Sequence, residues 1–538
     1  MPSRLPNRPA RDDGTGIDFG SIPQNNPNAP GLNGEQERGY VGFPAWTKQP
    51  YWNLGSLKMN TRLKIFLLCF TFLFIMSCSL FTLPGTPVIE SAPTATVALE
   101  PLVPTESPAP LKPTNTSAPT SLNAAGPYII FKGQDGIWMT NPDGSFPIQL
   151  SDIEVQGDLR PTISPAGDRM ALVVQNDQGL DLVIVNIPNG EKETIAHLIS
   201  ITQNEDPTSQ RSFAAFAIRD YTSVAWQPGD GRLLAFVGAI DGPTADLYIY
   251  DTQTTEITQL TSGPSEAILP TWSPDGQYIL NFGVSWVPPF GGAIGSANQL
   301  DGVWAVHVSD GKLITLPKPK GILPNFVGWQ DDSHYITYDS DEQCSSQNLR
   351  SVDVASGEIT SLMDYSFYSF IARSPENGAL LFSGADGCTN SVGEGVFMLL
   401  PGEATPVKLL DKQAWEIDWL PESKLFYAYP EALFSSDGNT RYDPPAPDSS
   451  FDPGVSLQGY QSWKVYENRV AHVMIKIPGR DWQDIFNGMI SVIIWDPING
   501  KTLLIAMEDG TLYSATYPDF TLTLMGKLGS INQAFWLP

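Results

Sequence analysis

Beyond residue 125 the chain alternates short apolar runs with polar turns, and one phrase closes run after run. An aliphatic strand ends on a large aromatic, a Pro opens a turn, a Gly reverses it, and a second apolar strand leaves antiparallel. The stretch Pro270-Thr271-Trp272-Ser273-Pro274-Asp275-Gly276-Gln277-Tyr278-Ile279-Leu280 carries the phrase in full. It returns at 163–171, 226–234 and 495–504, and more weakly after Trp329, Arg373 and Trp419. Its last copy is Phe535-Trp536-Leu537-Pro538.

The closing positions 163, 226, 272, 329, 373, 419, 495 and 536 are separated by 63, 46, 57, 44, 46, 76 and 41 residues. A period in the forties with occasional insertions predicts blades of four strands, here named a to d with a ending on the aromatic. The first folded run, Tyr128-Ile129-Ile130-Phe131, has no strand before it, and the last, Asn532-Gln533-Ala534-Phe535-Trp536, has none after it. The two incomplete ends are complementary, so the chain is expected to close as an all-β propeller with its last strand completing the first blade. Counting a strands gives eight blades. Seven and nine stay open, because 424–500 reads either as an inserted loop or as a degenerate extra blade.

Trp272-Ser273-Pro274-Asp275-Gly276, the c strand Asp246-Leu247-Tyr248-Ile249-Tyr250-Asp251 and the d strand Gln259-Leu260-Thr261 together resemble the TolB-type, WD-40-like propeller repeat. The resemblance covers 231–280 best, 128–174 and 495–513 fairly, and little elsewhere. It implies an extracytoplasmic propeller that binds other proteins, and no reaction by itself.

The segments before the propeller differ in kind. Residues 1–58 are rich in Pro, Asn, Gly and Arg without period, and read as a disordered or non-native extension. Residues 59–78 have a basic start, an apolar run from Ile65 to Met76 and then Ser77-Cys78, the layout of an export signal. Ile75-Met76-Ser77-Cys78 resembles the bacterial lipobox, which implies lipidation of Cys78. The alternative is an uncleaved membrane helix, since about 20 apolar residues suffice to span. Residues 79–125 are dominated by Pro, Thr, Ser and Ala and form an extended linker, leaving 126–538 as the propeller. A bacterial cell-envelope, membrane-anchored, extracytoplasmic location follows. The net charge of −27 disfavours nucleic acid.

Strand parity places the long connections 198–221 and 283–300, and an expansion within 424–500, on one face. That face carries the candidate binding residues Trp286, Phe290, Arg219, Tyr221, Tyr460 and Trp463. Cys344 and Cys388 occupy equivalent b–c positions in consecutive units and are expected to form a disulfide. No Gly-x-Ser-x-Gly or His-Glu-x-x-His motif occurs, and the four His are scattered. The acidic run Asp339-Ser340-Asp341-Glu342 lacks calcium-loop spacing and reads as a solvated turn. No catalytic residue, metal or cofactor is therefore assigned. The expectation is a monomeric, non-enzymatic module that binds a protein or cell-wall glycan. The alternative is a carbohydrate-active hydrolase or lyase with its site in the central channel.

Overall fold

The computed structural model describes residues 126–537, apart from 143, 153–158, 202–208, 221, 288–296, 322–323, 341–345, 385–389 and 447–448. The assignments to 1–58, 59–78 with Cys78, and 79–125 lie outside the described residues. The rest is a ring of nine antiparallel blades, eight of four strands and one of three.

Closure occurs as the two chain ends demand. Tyr128–Gly133 pairs antiparallel with Gln533–Leu537, setting Tyr128 against Leu537, Ile130 against Phe535 and Lys132 against Gln533. The other edge of Tyr128–Gly133 pairs with Gly136–Thr140, which pairs with Ile148–Ser151. Blade 1 is thus built from both ends of the domain, and neither end presents an open inner edge.

The inner strands of blades 3 to 9 are Val224–Trp226, Glu266–Trp272, Phe326–Trp329, Phe367–Arg373, Glu416–Leu420, Ser450–Val455 and Ile490–Trp495. In blade 2 the inner position shrinks to a single bridge, Ile163 to Met170, after the short 3-10 turn Arg160–Thr162. This leaves three regular strands in that blade.

The expected count of eight is corrected to nine. The stretch 424–500 holds the rest of blade 7, all of blade 8 and the inner strand of blade 9, with Val455 dividing the gap between Trp419 and Trp495 almost in half. Blade 8 ends its inner strand on Val455 instead of an aromatic, so a count of aromatics passes over it. What it keeps is the turn. The Ser456 Oγ accepts from the Gln458 and Tyr460 amides, and the Gly459 amide donates to the Ser456 carbonyl at 2.9 Å. Ser164 and Ser273 brace their turns alike, each Oγ accepting the amide of the first residue of the next strand, Arg169 at 3.1 Å and Tyr278 at 3.0 Å. The Gly of each turn, Gly167, Gly276 and Gly459, has φ between 70° and 75°, where any other residue would be strained.

Adjacent blades are tied by the aromatics that end their inner strands. The Trp226 indole N–H donates to the Thr162 carbonyl at 2.7 Å, Trp272 to the Ala225 carbonyl at 2.8 Å, and Trp329 to the Thr271 hydroxyl at 3.3 Å. Each bond reaches the residue just before the corresponding position of the preceding blade. Where Arg373 replaces the Trp, its guanidinium donates to the Gln330 carbonyl of the preceding blade at 3.0 Å. Arg169 adds a cation over the Trp226 ring, 4.9 Å from its centroid.

Replacing Trp226 or Trp272 by Phe keeps a buried ring but leaves a carbonyl between blades without its donor. Chemical denaturation of either variant is expected to show a loss of about 1–3 kcal/mol. Ile498→Ala, at a residue 58% exposed on the a–b turn of blade 9, is expected to change little.

Candidate functional site

The b–c and d–a connections share one face, and their lengths divide it. Several of those between blades 2 and 6 are long, although the b–c turn of blade 2 is only Asp177-Gln178. The connection from blade 2 to blade 3 holds helix α1 (Gln210–Asp220), and blades 5 and 6 have b–c connections spanning 340–346 and 385–394. Over blades 7 to 9 the b–c turns shrink to Pro430-Glu431, Asn468-Arg469 and Glu508-Asp509-Gly510. The expected expansion after the b strand within 424–500 is thus corrected to two tight turns. The expected long b–c loop at 283–300 is strand at both ends, because Tyr278–Val287 and Ala297–His307 pair out to Val287 against Ala297, while 288–296 lie outside the described residues.

The expected binding residues divide accordingly. Arg219 is exposed near the end of α1. Tyr221 and Phe290 lie outside the described residues, as do Cys344 and Cys388, and of Trp286 only the backbone is described. Tyr460 and Trp463 belong to the interior, which corrects their expected place on the face. Tyr460 sits on an a–b turn, toward the opposite face, and stacks on Tyr517 at 5.2 Å. Trp463 is fully buried between blades 7 and 8, with its ring 6.0 Å from that of Tyr427. Aromatic identity alone did not separate wedges between blades from surface rings.

The four His are each bound to an Asp. His197 meets Asp181 at 2.6 Å, His307 meets Asp310 at 2.8 Å, His334 meets Asp331 at 2.9 Å and His472 meets Asp484 at 2.7 Å. None lies on an inner strand. Asp339 is nearly buried and accepts from Arg350, Asn348 and the Lys320 amide, so it braces blade 5. Among the described residues no group of three His, Cys, Asp or Glu is placed to hold a metal ion.

Two polar clusters lie on the divided face, and the sequence reading named neither. The first is under α1. Glu266, at the start of the inner strand of blade 4, is 1% exposed and accepts from the Gln210 side chain of α1. It also accepts from the Ala245 amide at 2.5 Å. Burial, outweighing these two donors, pushes its carboxyl up to about 7. Ala214, Ala217 and Ile218 bury the same helix, so α1 is seated on blades 3 and 4 by an apolar side and one amide-to-carboxyl contact.

The second cluster lies between blades 7 and 8. Glu416 and Asp418 stand opposite Tyr429 and Tyr427 across the paired strands Glu416–Leu420 and Leu425–Tyr429, so all four side chains share a blade face. Across the gap are Phe451, stacked on Tyr429 at 5.2 Å, and Asp452, paired with Lys464 at 2.5 Å. The Tyr427 hydroxyl is buried without a hydrogen-bond partner. Burial first, and then the nearby Asp452 and Glu416 carboxylates, hold it well above the usual phenol range. Trp415, 69% exposed, stands edge-on to Tyr429 at 6.5 Å. Arg160 of the turn leading into blade 2 meets Glu422 of blade 7 at 2.5 Å. These blades are four apart by the shorter way round, so the pair spans the central opening.

With this geometry in hand, comparison with known proteins gives partial likenesses. No family model matches the chain. A stretch of 59 residues is 46% identical to the uncharacterized peptidase YuxL of Bacillus subtilis (strain 168), covering 11% of this chain and 9% of that protein. The chain therefore spans only a small part of that relative's length. Among solved structures, dipeptidyl peptidase 4 of Porphyromonas gingivalis aligns over 74% of this chain and 57% of its own, at 9% identity and a TM-score of 0.41. Oligogalacturonate lyase from Vibrio parahaemolyticus aligns over 58% and 89%, at 11% identity and 0.35. TolB from Acinetobacter baumannii aligns over 69% and 82%, at 12% identity and 0.23.

The Glu266 carboxyl gives a signed expectation. Its folded value lies above the ordinary 4.5, so the folded state holds the proton more tightly and stability falls as pH rises from about 4.5 through about 7. The loss is on the order of 3 kcal/mol, and Glu266→Gln should remove this component of the pH dependence. Denaturant midpoints of both proteins at pH 5 and pH 8 check it.

Proposed function

We propose that the protein is a surface-tethered, extracytoplasmic propeller acting as a non-enzymatic binding module, whose b–c and d–a face meets a protein or cell-wall glycan in the bacterial envelope. The observation that carries this reading is the closed ring with its long connections gathered on one face, the arrangement in which a rigid scaffold presents variable loops. The TolB-like repeat phrase, the lipobox at Cys78 and the Pro/Thr-rich linker support the tether and the location. In this reading Trp286, Phe290, Arg219 and Tyr221 contribute to the face, and Cys344 and Cys388, on consecutive b–c connections, bridge two of its loops. The protein acts as a monomer without cofactor.

A carbohydrate-active site in the channel is the second reading, favoured by Glu416 and Asp418 on an inner strand. The Arg160–Glu422 pair across the opening weighs against a long polysaccharide threading there.

Crosslinking of the full chain in envelope membranes, followed by mass spectrometry, is expected to recover a partner whose yield falls at least tenfold in a Trp286→Ala, Phe290→Ala double variant. Unchanged yield would remove this face from the reading, and product release from a panel of polysaccharides would favour the second one. A Cys78→Ser chain is expected to leave the membrane fraction. Retention there would favour the uncleaved helix.

A further inference from the structure

Blade 2 holds a run of linked side chains that neither packing nor closure requires. Its b, c and d strands are Arg169–Asn176, Gly179–Asn186 and Lys192–Ser200. The His197 ring meets Asp181 through Nδ1 at 2.6 Å and the Ser200 hydroxyl through Nε2 at 2.9 Å. We propose that Ser200 is a nucleophile activated by His197, and that this site cleaves carboxylic esters with a small acyl group. The inference goes beyond the binding reading. It amends the non-enzymatic part of that reading, adds a reaction at the rim of the b–c and d–a face, and leaves the binding face itself in place.

Strand geometry comes first. Residues three apart on a regular strand point to opposite sides. Here Asp181 pairs with His197 and Leu180 with Ile199, so Leu198 bulges out of the register. Leu198 and Ile199 both turn into the core, which leaves His197 and Ser200 on the same exposed side.

The second observation is the order of protons. The Asn176 side-chain oxygen accepts from the Gln178 and Gly179 amides at 2.8 and 3.0 Å, and its amide group donates to Asp181 Oδ2 at 2.6 Å. The other Asp181 oxygen faces His197 Nδ1. A carboxylate only accepts, so Nδ1 carries the ring proton, and the neutral ring offers Nε2 as acceptor to the Ser200 O–H. A general base needs that order to take a proton from a nucleophile. His307, His334 and His472 also meet Asp carboxylates through Nδ1, but among the described residues none of them meets a hydroxyl through Nε2.

The third is a cation. Arg211 of α1 donates from Nη1 to the Ser200 carbonyl at 2.9 Å. A guanidinium carries five N–H donors, so it is held beside the nucleophile with donors left for a carbonyl oxygen that gains charge.

The chemistry balances with water as co-reactant. The Ser200 oxygen bonds to the ester carbon while its proton passes to His197 Nε2. The ester C–O bond then breaks, and that proton leaves with the alcohol. Water next gives a proton to Nε2 and attacks the acyl carbon, and the acid departs as Ser200 regains its hydrogen. The His197 side chain is 43% exposed, and an open site suits the easier leaving group of an ester better than that of an amide. Asp181 is a positioning residue in this scheme.

A fluorophosphonate probe, which bonds to activated serines, tests the site on the full chain, with mass spectrometry locating the label. Ser200 is expected to react at least about tenfold faster in the folded chain than in the urea-unfolded one, at a rate that rises with pH as the imidazole loses its proton. His197→Gln should slow labelling roughly 10²- to 10⁴-fold, the range of general-base assistance, and flatten the rise. Asp181→Asn should slow it and flatten the same pH profile while the denaturation midpoint holds, which loss of a purely structural contact would not do. Nitrophenol release from p-nitrophenyl acetate should fall at least about tenfold in Ser200→Ala. Labelling of Ser200 no faster in the folded chain, labelling indifferent to His197→Gln, or ester cleavage indifferent to Ser200→Ala would overturn the proposal. The crosslinking experiment judges the binding face on its own, and its failure would leave this site standing.

Discussion

The structure depends on one hydrogen-bonded ladder, between Tyr128–Gly133 and Gln533–Leu537. Chain segments some four hundred residues apart become neighbours in a single sheet there, and every other blade is held between neighbours because this one exists. An unclosed array of nine sheets would expose two inner edges and the apolar faces beside them. Closure is also what makes strand parity meaningful, since it fixes which connections share a face. The seam is apolar on both sides, with Ile129, Phe131 and Ala534 packed against Ile494, Leu504 and Leu512 of blade 9.

Within the ring, cohesion is passed from blade to blade by buried donors. The indoles of Trp226, Trp272 and Trp329 each reach one blade back, and the Arg373 guanidinium does the same without a ring. The fold class and the closure were legible because these aromatics recur with a period and because the two ends lacked complementary strands. The blade count was not, because the eighth inner strand ends on Val455. A turn signal of Ser, two residues and Gly, as in Ser164 to Gly167, Ser273 to Gly276 and Ser456 to Gly459, would have found it. The Ser hydroxyl holds the turn whether or not an aromatic precedes it.

The candidate site was less legible, for a physical reason. Sequence tells that a residue is aromatic but not which way its strand faces once the register is fixed. Trp463 and Tyr460 therefore read like surface rings and proved to be wedges, while Trp415 drew no notice before a weak repeat and proved exposed. Glu266 likewise looks like any loop carboxylate. Its character comes from α1 closing over it, a contact between residues 56 apart. Both polar clusters on the face arise from such pairings between elements, which composition and spacing do not encode.

The ring can be tested covalently at the seam. Lys132 and Gln533 stand directly opposite each other in the closing ladder. Cys at such positions falls within the roughly 4.5–5.5 Å Cα separation that a disulfide accepts. In a Lys132→Cys, Gln533→Cys chain, mass spectrometry of the oxidised, proteolysed protein should find these two peptides joined within one monomer. Finding both thiols free, or joined only between separate chains, would contradict closure and with it the shared loop face.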